Sequence, residues 1–165
     1  MKTPINILFL CTGNSARSIL SEVVLNTDGA GKFRAYSAGS KPAGAVNALA
    51  LSVLEKAGYP TENLRSKNWD EFAGQDAVKI DIIITVCDNA ASEVCPVWPG
   101  HPLAVHWGLP DPAAVEGPDS KKEEAFEQAL HTIRKRLAAL VALDTETLDG
   151  AALKAVLEYI IENEG

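Results

Sequence analysis

The apolar run Ile5-Asn-Ile-Leu-Phe-Leu10 ends at a cysteine, and Ile19-Leu-Ser-Glu-Val-Val-Leu25 has helical spacing; between them stands Cys11-Thr-Gly-Asn-Ser-Ala-Arg17-Ser18. A strand, a tight loop and a helix in that order open an alternating pattern on which the whole chain is organised. Backbone N–H groups of such a loop, at a helix N-terminus, converge on a tetrahedral anion, and the helix dipole adds positive potential. Arg17 can grip two oxygens of that anion at once. The same field is expected to lower the pKa of Cys11, and the thiolate is the reactive form. Gly13 and Asn14 are expected to supply the positive φ angles a tight loop needs. The spacing alone also suits a small buried cysteine at a strand end beside an unrelated arginine.

At 165 residues, 47% hydrophobic and 22% charged, the chain reads as an ordinary globular domain with a full-sized core. A net charge of −7 argues against nucleic acid or an anionic membrane as partner, because phosphate contacts need clustered Lys and Arg. An acidic protein binds an oxyanion only where backbone dipoles and a placed arginine override the global field. No stretch approaches a membrane span. The N-terminal apolar run is interrupted by Pro4 and Asn6 and lacks a small-residue cleavage site, so it reads as a buried strand and the protein as cytoplasmic. Three cysteines, an odd number, do not make a secreted disulfide framework and point to catalytic or redox-active thiols.

Elements alternate along the chain. Lys32–Ala38 reads as a second strand ended by Gly39, and Ala45–Ala57 as a helix with Val46, Leu49, Ala50, Val53, Leu54 and Ala57 at helical spacing and Gly58 as its cap. Asn68 is expected to cap a short helix with Glu71 three residues on. Lys79–Val86 is the strongest strand. A proline-rich loop from Cys95 to Pro102 precedes a shorter strand, Leu103–Trp107. Ser120-Lys-Lys-Glu123 reads as a capping box opening a long helix to about Leu143, with Phe126, Ala129, Leu130, Ile133, Leu137, Leu140 and Val141 as its apolar stripe.

Four strands alternating with helices imply a parallel α/β sheet, Rossmann-like or flavodoxin-like, with helices on both faces. Cys11, Cys87 and the loop after Trp107 all follow strands, at the sheet edge where such folds bind ligands. Leu148–Ile161 is an additional amphipathic segment, either a helix covering the core or a dimer contact. The division expected is 1–144 as the main domain, with 145–165 as a helical extension packed on it.

Two further stretches carry chemistry. In His106-Trp-Gly-Leu-Pro-Asp-Pro-Ala113, prolines on both sides can hold the Asp111 carboxyl in place, although Asp before Pro also makes ordinary turns. In Thr85-Val-Cys87-Asp-Asn-Ala-Ala-Ser-Glu-Val-Cys95-Pro, two thiols follow the strongest strand. Were residues 88–95 helical, they would rise about 12 Å at about 1.5 Å each, whereas a disulfide needs Cα atoms within roughly 7 Å. A Cys87–Cys95 bond therefore implies that the segment unwinds or loops out.

The Cys11-x5-Arg17-Ser18 loop resembles the phosphate loop of the low-molecular-weight tyrosine phosphatases and of the arsenate reductases that share their fold. Ser37-Ala-Gly39, Cys87…Cys95, His106-Trp-Gly108 and Asp111-Pro112 extend the resemblance over most of residues 5–141, and its three cysteines match the thioredoxin-linked arsenate reductases. Phosphoryl transfer needs one thiol, an arginine and an acid, whereas reducing arsenate takes two electrons, which thiols supply by forming a disulfide. The resemblance implies that the loop residues Thr12, Gly13, Asn14, Ser15, Ala16 and Arg17 cradle arsenate, with phosphate and sulfate as competitors. It implies that Cys11 attacks arsenic while Asp111, whose protonated form nearby negative charge favours, protonates the departing oxygen. Cys87 then attacks Cys11, releasing arsenite, and Cys95 relays the disulfide as Cys87–Cys95 to thioredoxin, or to glutaredoxin and glutathione. Arg17 steadies the oxyanion and Ser18 donates a hydrogen bond to Cys11. Some members also hold potassium under the loop, at positions matched here by Asn14, Glu22, Ser37 and Asp70. No other cofactor is expected, and the protein is expected to be a monomer or weak dimer.

The chain departs from that pattern in four places. Ala16 replaces a non-essential cysteine, Cys87 and Cys95 lie one residue further apart, and the tail past about residue 144 is extra. Ala113-Ala114 stand where many tyrosine phosphatases carry aromatic residues, which removes a wall for a phosphotyrosine ring and favours the reductase over the phosphatase alternative. Trp98 and Trp107 flank the site loops and read as buried anchors rather than partner contacts.

Overall fold

In the first strand, β1 (Ile5–Leu10), side chains alternate between two apolar clusters: Ile5, Ile7 and Phe9 join one, Leu8 and Leu10 the other. A side-chain period of two places these sets on opposite faces, so the strand is covered on both sides. The same division recurs at Ile82 and Ile84 against Ile83 in β3 (Ile82–Thr85). With β2 (Phe33–Ala38) and β4 (Leu103–His106) they form a four-stranded, all-parallel sheet in the order β2-β1-β3-β4. The chain leaves β1 for β2 on one side and later returns to β3 on the other. The crevice where such an order reverses opens at the carboxyl end of β1, directly before Cys11. The computed structural model describes residues 3–88, 90 and 98–163, so Cys95 and the expected behaviour of the segment up to it lie outside the described residues.

One sheet face is covered by α1 (Arg17–Asp28), α2 (Ala48–Lys56), α3 (Asp119–Val141) and α4 (Gly150–Glu162). Among the described residues the other face is covered by a short 3-10 helix, Trp69–Phe72, together with Val78, Ile80 and Trp98. Trp98 packs edge-on against Trp69, with ring centroids 6.3 Å apart, and Trp107 is 2% exposed, so both act as anchors.

Several boundaries differ from the sequence expectation, each for a local reason. The strand expected over Lys79–Val86 is confined to Ile82–Thr85. Ahead of it the Asp81 carboxylate takes the Asn6 backbone N–H, while the Asp81 N–H still donates to the Asn6 carbonyl, so only one of the two bonds there is a backbone one. Helix α1 begins at Arg17 rather than Ile19 and runs on to Asp28. Helix α2 begins only at Ala48, because the Asn47 side chain accepts the Leu49 N–H and caps it there. Gly58 ends the α2 segment at φ 85°, the left-handed cap conformation. The Ser120–Glu123 capping box does not form: α3 begins at Asp119, and the Pro118 carbonyl takes the first helical N–H bonds. Asn68 does cap the Trp69–Phe72 turn by accepting the Asp70 N–H, but Glu71 is drawn away into a two-pronged pair with Arg65.

Helix α3 buries Phe126, Ala129, Leu130, Ile133, Leu137 and Leu140 of the expected stripe, with Val141 only partly buried, and also Arg136. Helix α4 packs on β4 and α3, with Leu153 and Leu157 fully buried. Among the described residues no helix is long and apolar enough to cross a membrane.

Candidate active site

The loop after β1 is held from outside through its carbonyls. Those of Thr12, Gly13 and Ser15 accept backbone N–H groups of Lys41, Ala43 and Asn47, and Ser66 Oγ also donates to Gly13. The N–H groups of Asn14, Ser15 and Ala16 have no acceptor among the described residues, and α1 starts without a side-chain cap. Unpaired donors at a helix start, aligned with its dipole, are what an oxyanion requires. Asn14 supplies the left-handed turn at φ 44°, but Gly13 does not adopt a positive φ, contrary to expectation. Gly39 is the glycine the loop depends on: a Cβ there would lie 2.3 Å from the Thr12 carbonyl oxygen and 2.6 Å from that of Cys11.

Arg17 leads α1 into the loop and is 13% exposed. Its Nη1 donates to the Leu109 carbonyl at 2.9 Å, and its Nη2 lies 3.8 Å from Asp111 Oδ2. Nε is buried without a partner. The edge formed by Nε and Nη2 is therefore the one presented for a side-on, two-oxygen grip. Ser18 is fully buried and its Oγ accepts from Asn14 Nδ2; Asn14 Oδ1 in turn accepts the Lys67 backbone N–H.

Strand register brings two thiols together. Leu10 pairs with Thr85, and Val86 N–H donates to the Leu10 carbonyl, so Cys11 and Cys87 leave adjacent strands side by side. Neighbouring strands lie about 4.7–4.9 Å apart, within the Cα separation a disulfide needs. Both cysteines are free and buried, and each perturbs the titration of the other. Cys87 Sγ also accepts the Thr12 N–H at 3.4 Å and stands 3.7 Å from the Thr12 hydroxyl. These donors, the Cys11 thiol first among them and the Ala90 N–H included, lower the Cys87 pKa to about 5. Cys11 moves the opposite way. Its bond to Cys87 and its burial raise it above the ordinary thiol range, outweighing Arg17 and the Gly13 N–H. The pull of Arg17 on Cys11 that the sequence led one to expect is present, but burial and the neighbouring Cys87 oppose it.

Asp111 sits on the loop after β4, exposed and facing Arg17, and its Oδ1 accepts the Ala113 N–H in a turn that starts with the buried Pro112. Arg136, missed in the sequence, and Trp107, expected there as a buried anchor, brace this loop. Arg136, 6% exposed, donates Nη1 to the Trp107 carbonyl and Nη2 to that of Gly108. Trp107 Nε1 donates to the Leu157 carbonyl of α4. A charged residue at helical spacing within the apolar stripe of α3 was the signal available for Arg136. His106, opposite Thr85 in the ladder, bonds Thr85 Oγ1 through Nδ1 at 2.7 Å and Asp88 Oδ1 through Nε2 at 2.9 Å. It ties the residue after Cys87 to the sheet. A Cβ on Gly108 would come within 2.7 Å of His106 Nε2.

Of the four residues matched to an ion site, Asn14 is a buried residue of the loop itself, Glu22 lies on α1 and Ser37 on β2, and Asp70 is exposed in the Trp69–Phe72 turn. Ser37 Oγ donates to Glu22 Oε1 at 2.9 Å, and the Lys67 ammonium lies 3.8 Å from the same oxygen. Burial raises the Glu22 pKa against the pull of Lys67 and Ser37, and lowers that of Lys67.

A parallel α/β sheet whose switch point holds a thiol, a side-on guanidinium and unpaired backbone donors defines a thiol-dependent enzyme of tetrahedral oxyanions. The family model of the low molecular weight phosphotyrosine protein phosphatases matches residues 6–154, and the chain belongs to that family. It is 37% identical over 131 residues to the arsenate reductase of Halalkalibacterium halodurans, spanning 79% of this chain and 91% of that one. The crystal structure of arsenate reductase from Archaeoglobus fulgidus superposes with a TM-score of 0.65 at 28% identity, covering 83% of this chain and 99% of that one. A thioredoxin-dependent arsenate reductase of Corynebacterium glutamicum shares the fold at 24% identity, with a TM-score of 0.59, covering 86% of this chain and 64% of that one.

Proposed function

We propose that this enzyme reduces arsenate to arsenite. The observation that carries the reading is a second thiol against the oxyanion loop: Cys87 follows the strand beside that of Cys11, and its Sγ accepts the Thr12 N–H at 3.4 Å. Ser18 turns its hydroxyl proton to Cys11. Arsenate enters the loop on the N–H groups and the Nε/Nη2 edge of Arg17. Cys11 sulfur attacks arsenic as its proton passes to Cys87, and Asp111 protonates the departing oxygen, which leaves as water. The Cys87 thiol then loses its proton to solvent and attacks Cys11 Sγ. An S–S bond forms, the S–As bond breaks, and its electron pair stays on arsenic, reducing As(V) to As(III) while two thiols are oxidised. Cys95 takes over the disulfide from Cys11, and a thioredoxin-type dithiol reduces it. Exposed Ala113 and Ala114 offer no ring-stacking wall beside the acid, which disfavours a phosphotyrosine substrate.

The test is arsenate-dependent consumption of NADPH with thioredoxin and its reductase, set beside hydrolysis of an aryl phosphate. Cys87→Ser abolishes the first and leaves the second; Cys11→Ser abolishes both. Arsenite production that survives in Cys87→Ser would refute the second thiol's role. Activity with glutaredoxin and glutathione that is indifferent to Cys95→Ser would replace thioredoxin as partner.

A further inference from the structure

We propose that the Lys67 ammonium is the resident cation of the oxyanion loop, standing where relatives of this fold are expected to hold potassium. Its Nζ is surrounded by oxygens from three separate parts of the chain. It donates to the Arg65 carbonyl at 3.0 Å and to Ser37 Oγ at 3.5 Å, and lies 3.8 Å from Glu22 Oε1. The Lys67 and Glu22 side chains are 9% and 13% exposed. A carboxylate, a hydroxyl and a carbonyl are the hard oxygen donors an alkali ion takes. Here one covalently tethered positive charge already balances the carboxylate, and a second cation in the same partly dry space would be repelled. Asp70, the fourth expected donor, is exposed and capped into its own turn. The residues therefore do not fit potassium.

The position of Lys67 makes the ammonium matter to the site. Its backbone N–H donates to Asn14 Oδ1 at 2.8 Å, and its carbonyl accepts the Gly39 N–H at 2.9 Å. Asn14 is the left-handed residue of the loop and holds Ser18 Oγ; Gly39 lies against the Thr12 and Cys11 carbonyls. A single residue thus neutralises Glu22 through its side chain and fixes the loop through its backbone. Lys67 is a positioning residue, and this role does not depend on the arsenate reading.

The experiment is a pair of measurements, thermal melting and inorganic phosphate affinity by calorimetry, in potassium chloride and in choline chloride at equal ionic strength. Wild type gives the same values in both salts. Lys67→Met melts roughly 10 °C lower in choline, because a nearly buried carboxylate loses its partner. It binds phosphate more weakly there, and potassium restores at least half of both losses. Potassium-specific stabilisation of wild type, wild-type behaviour of the variant in choline, or no recovery with potassium would each overturn the proposal. Should Lys67→Met not fold, Glu22→Gln/Lys67→Met, which removes both charges, is expected to fold and to ignore potassium. Failure of that double variant to fold, or a potassium response in it, would equally overturn the assignment.

Discussion

Gly39 has backbone where a side chain would be, since the loop carbonyls of Cys11 and Thr12 occupy the space of its missing Cβ. Neither can retreat cheaply: Thr12 accepts from Lys41, and Gly39 itself bridges Lys67 and Trp69. Gly39→Ala is therefore expected to push the loop off its donor geometry, weakening inorganic phosphate binding at least about tenfold, by titration calorimetry. Unchanged phosphate affinity in that variant would show that the loop does not depend on the close approach. The cysteines teach a related lesson. Arg17 lowers Cys11, as its place in the loop demands, yet a hydrogen-bonded neighbour sulfur and burial act more strongly. A guanidinium beside a thiol does not act alone when burial and a second thiol oppose it.

Among the elements, α3 and α4 carry work that lies outside the loop. Arg136 of α3 holds the carbonyls before Leu109, whose own carbonyl takes Arg17 Nη1, and α4 receives the Trp107 indole N–H. The acid-bearing loop is thus fastened from below by one helix and from the side by another. Helix α4 is bound mainly through its apolar face, on which Leu153 and Leu157 have no exposed surface. Leu153→Ala is expected to cost about 3 kcal/mol, read as a lower denaturant midpoint with an unchanged m-value. A change below about 0.5 kcal/mol would mean that α4 adds no stability through this contact.

For the molecule as a whole, the thiol pair couples stability to pH. The Cys87 pKa falls from an ordinary thiol value to about 5 on folding. A depressed folded-state value contributes stability that is complete above the unfolded pKa and is lost as pH falls toward 5. Cys11, held up, opposes this only above the ordinary thiol range. The reduced protein should therefore become more stable from about pH 6.5 to about pH 8.5, a window above most carboxylate titrations. Melting curves of wild type and Cys87→Ala in that window check it; equal slopes would show that Cys87 is not the ionised partner. The net charge of −7 sets the background against which the loop, under the proposed function, must attract an anion through local dipoles and Arg17.

What the sequence alone determined is what local pattern encodes. The alternation of Ile5 to Leu10, the stripe from Phe126 to Leu140, and a thiol and a guanidinium between a strand and a helix were legible because neighbours along the chain dictate them. They were enough to place the sheet, the loop and the acid at one edge. Tertiary structure decided the rest. Strand register, a long-range property, set Cys87 beside Cys11 and His106 against Thr85. Lys67 and Arg136 acquire their roles only where folding buries them among carbonyls and a carboxylate distant in sequence. Desolvation and pairing arise only from such contacts; spacing could mark Arg136 as facing the core but could not name its partners.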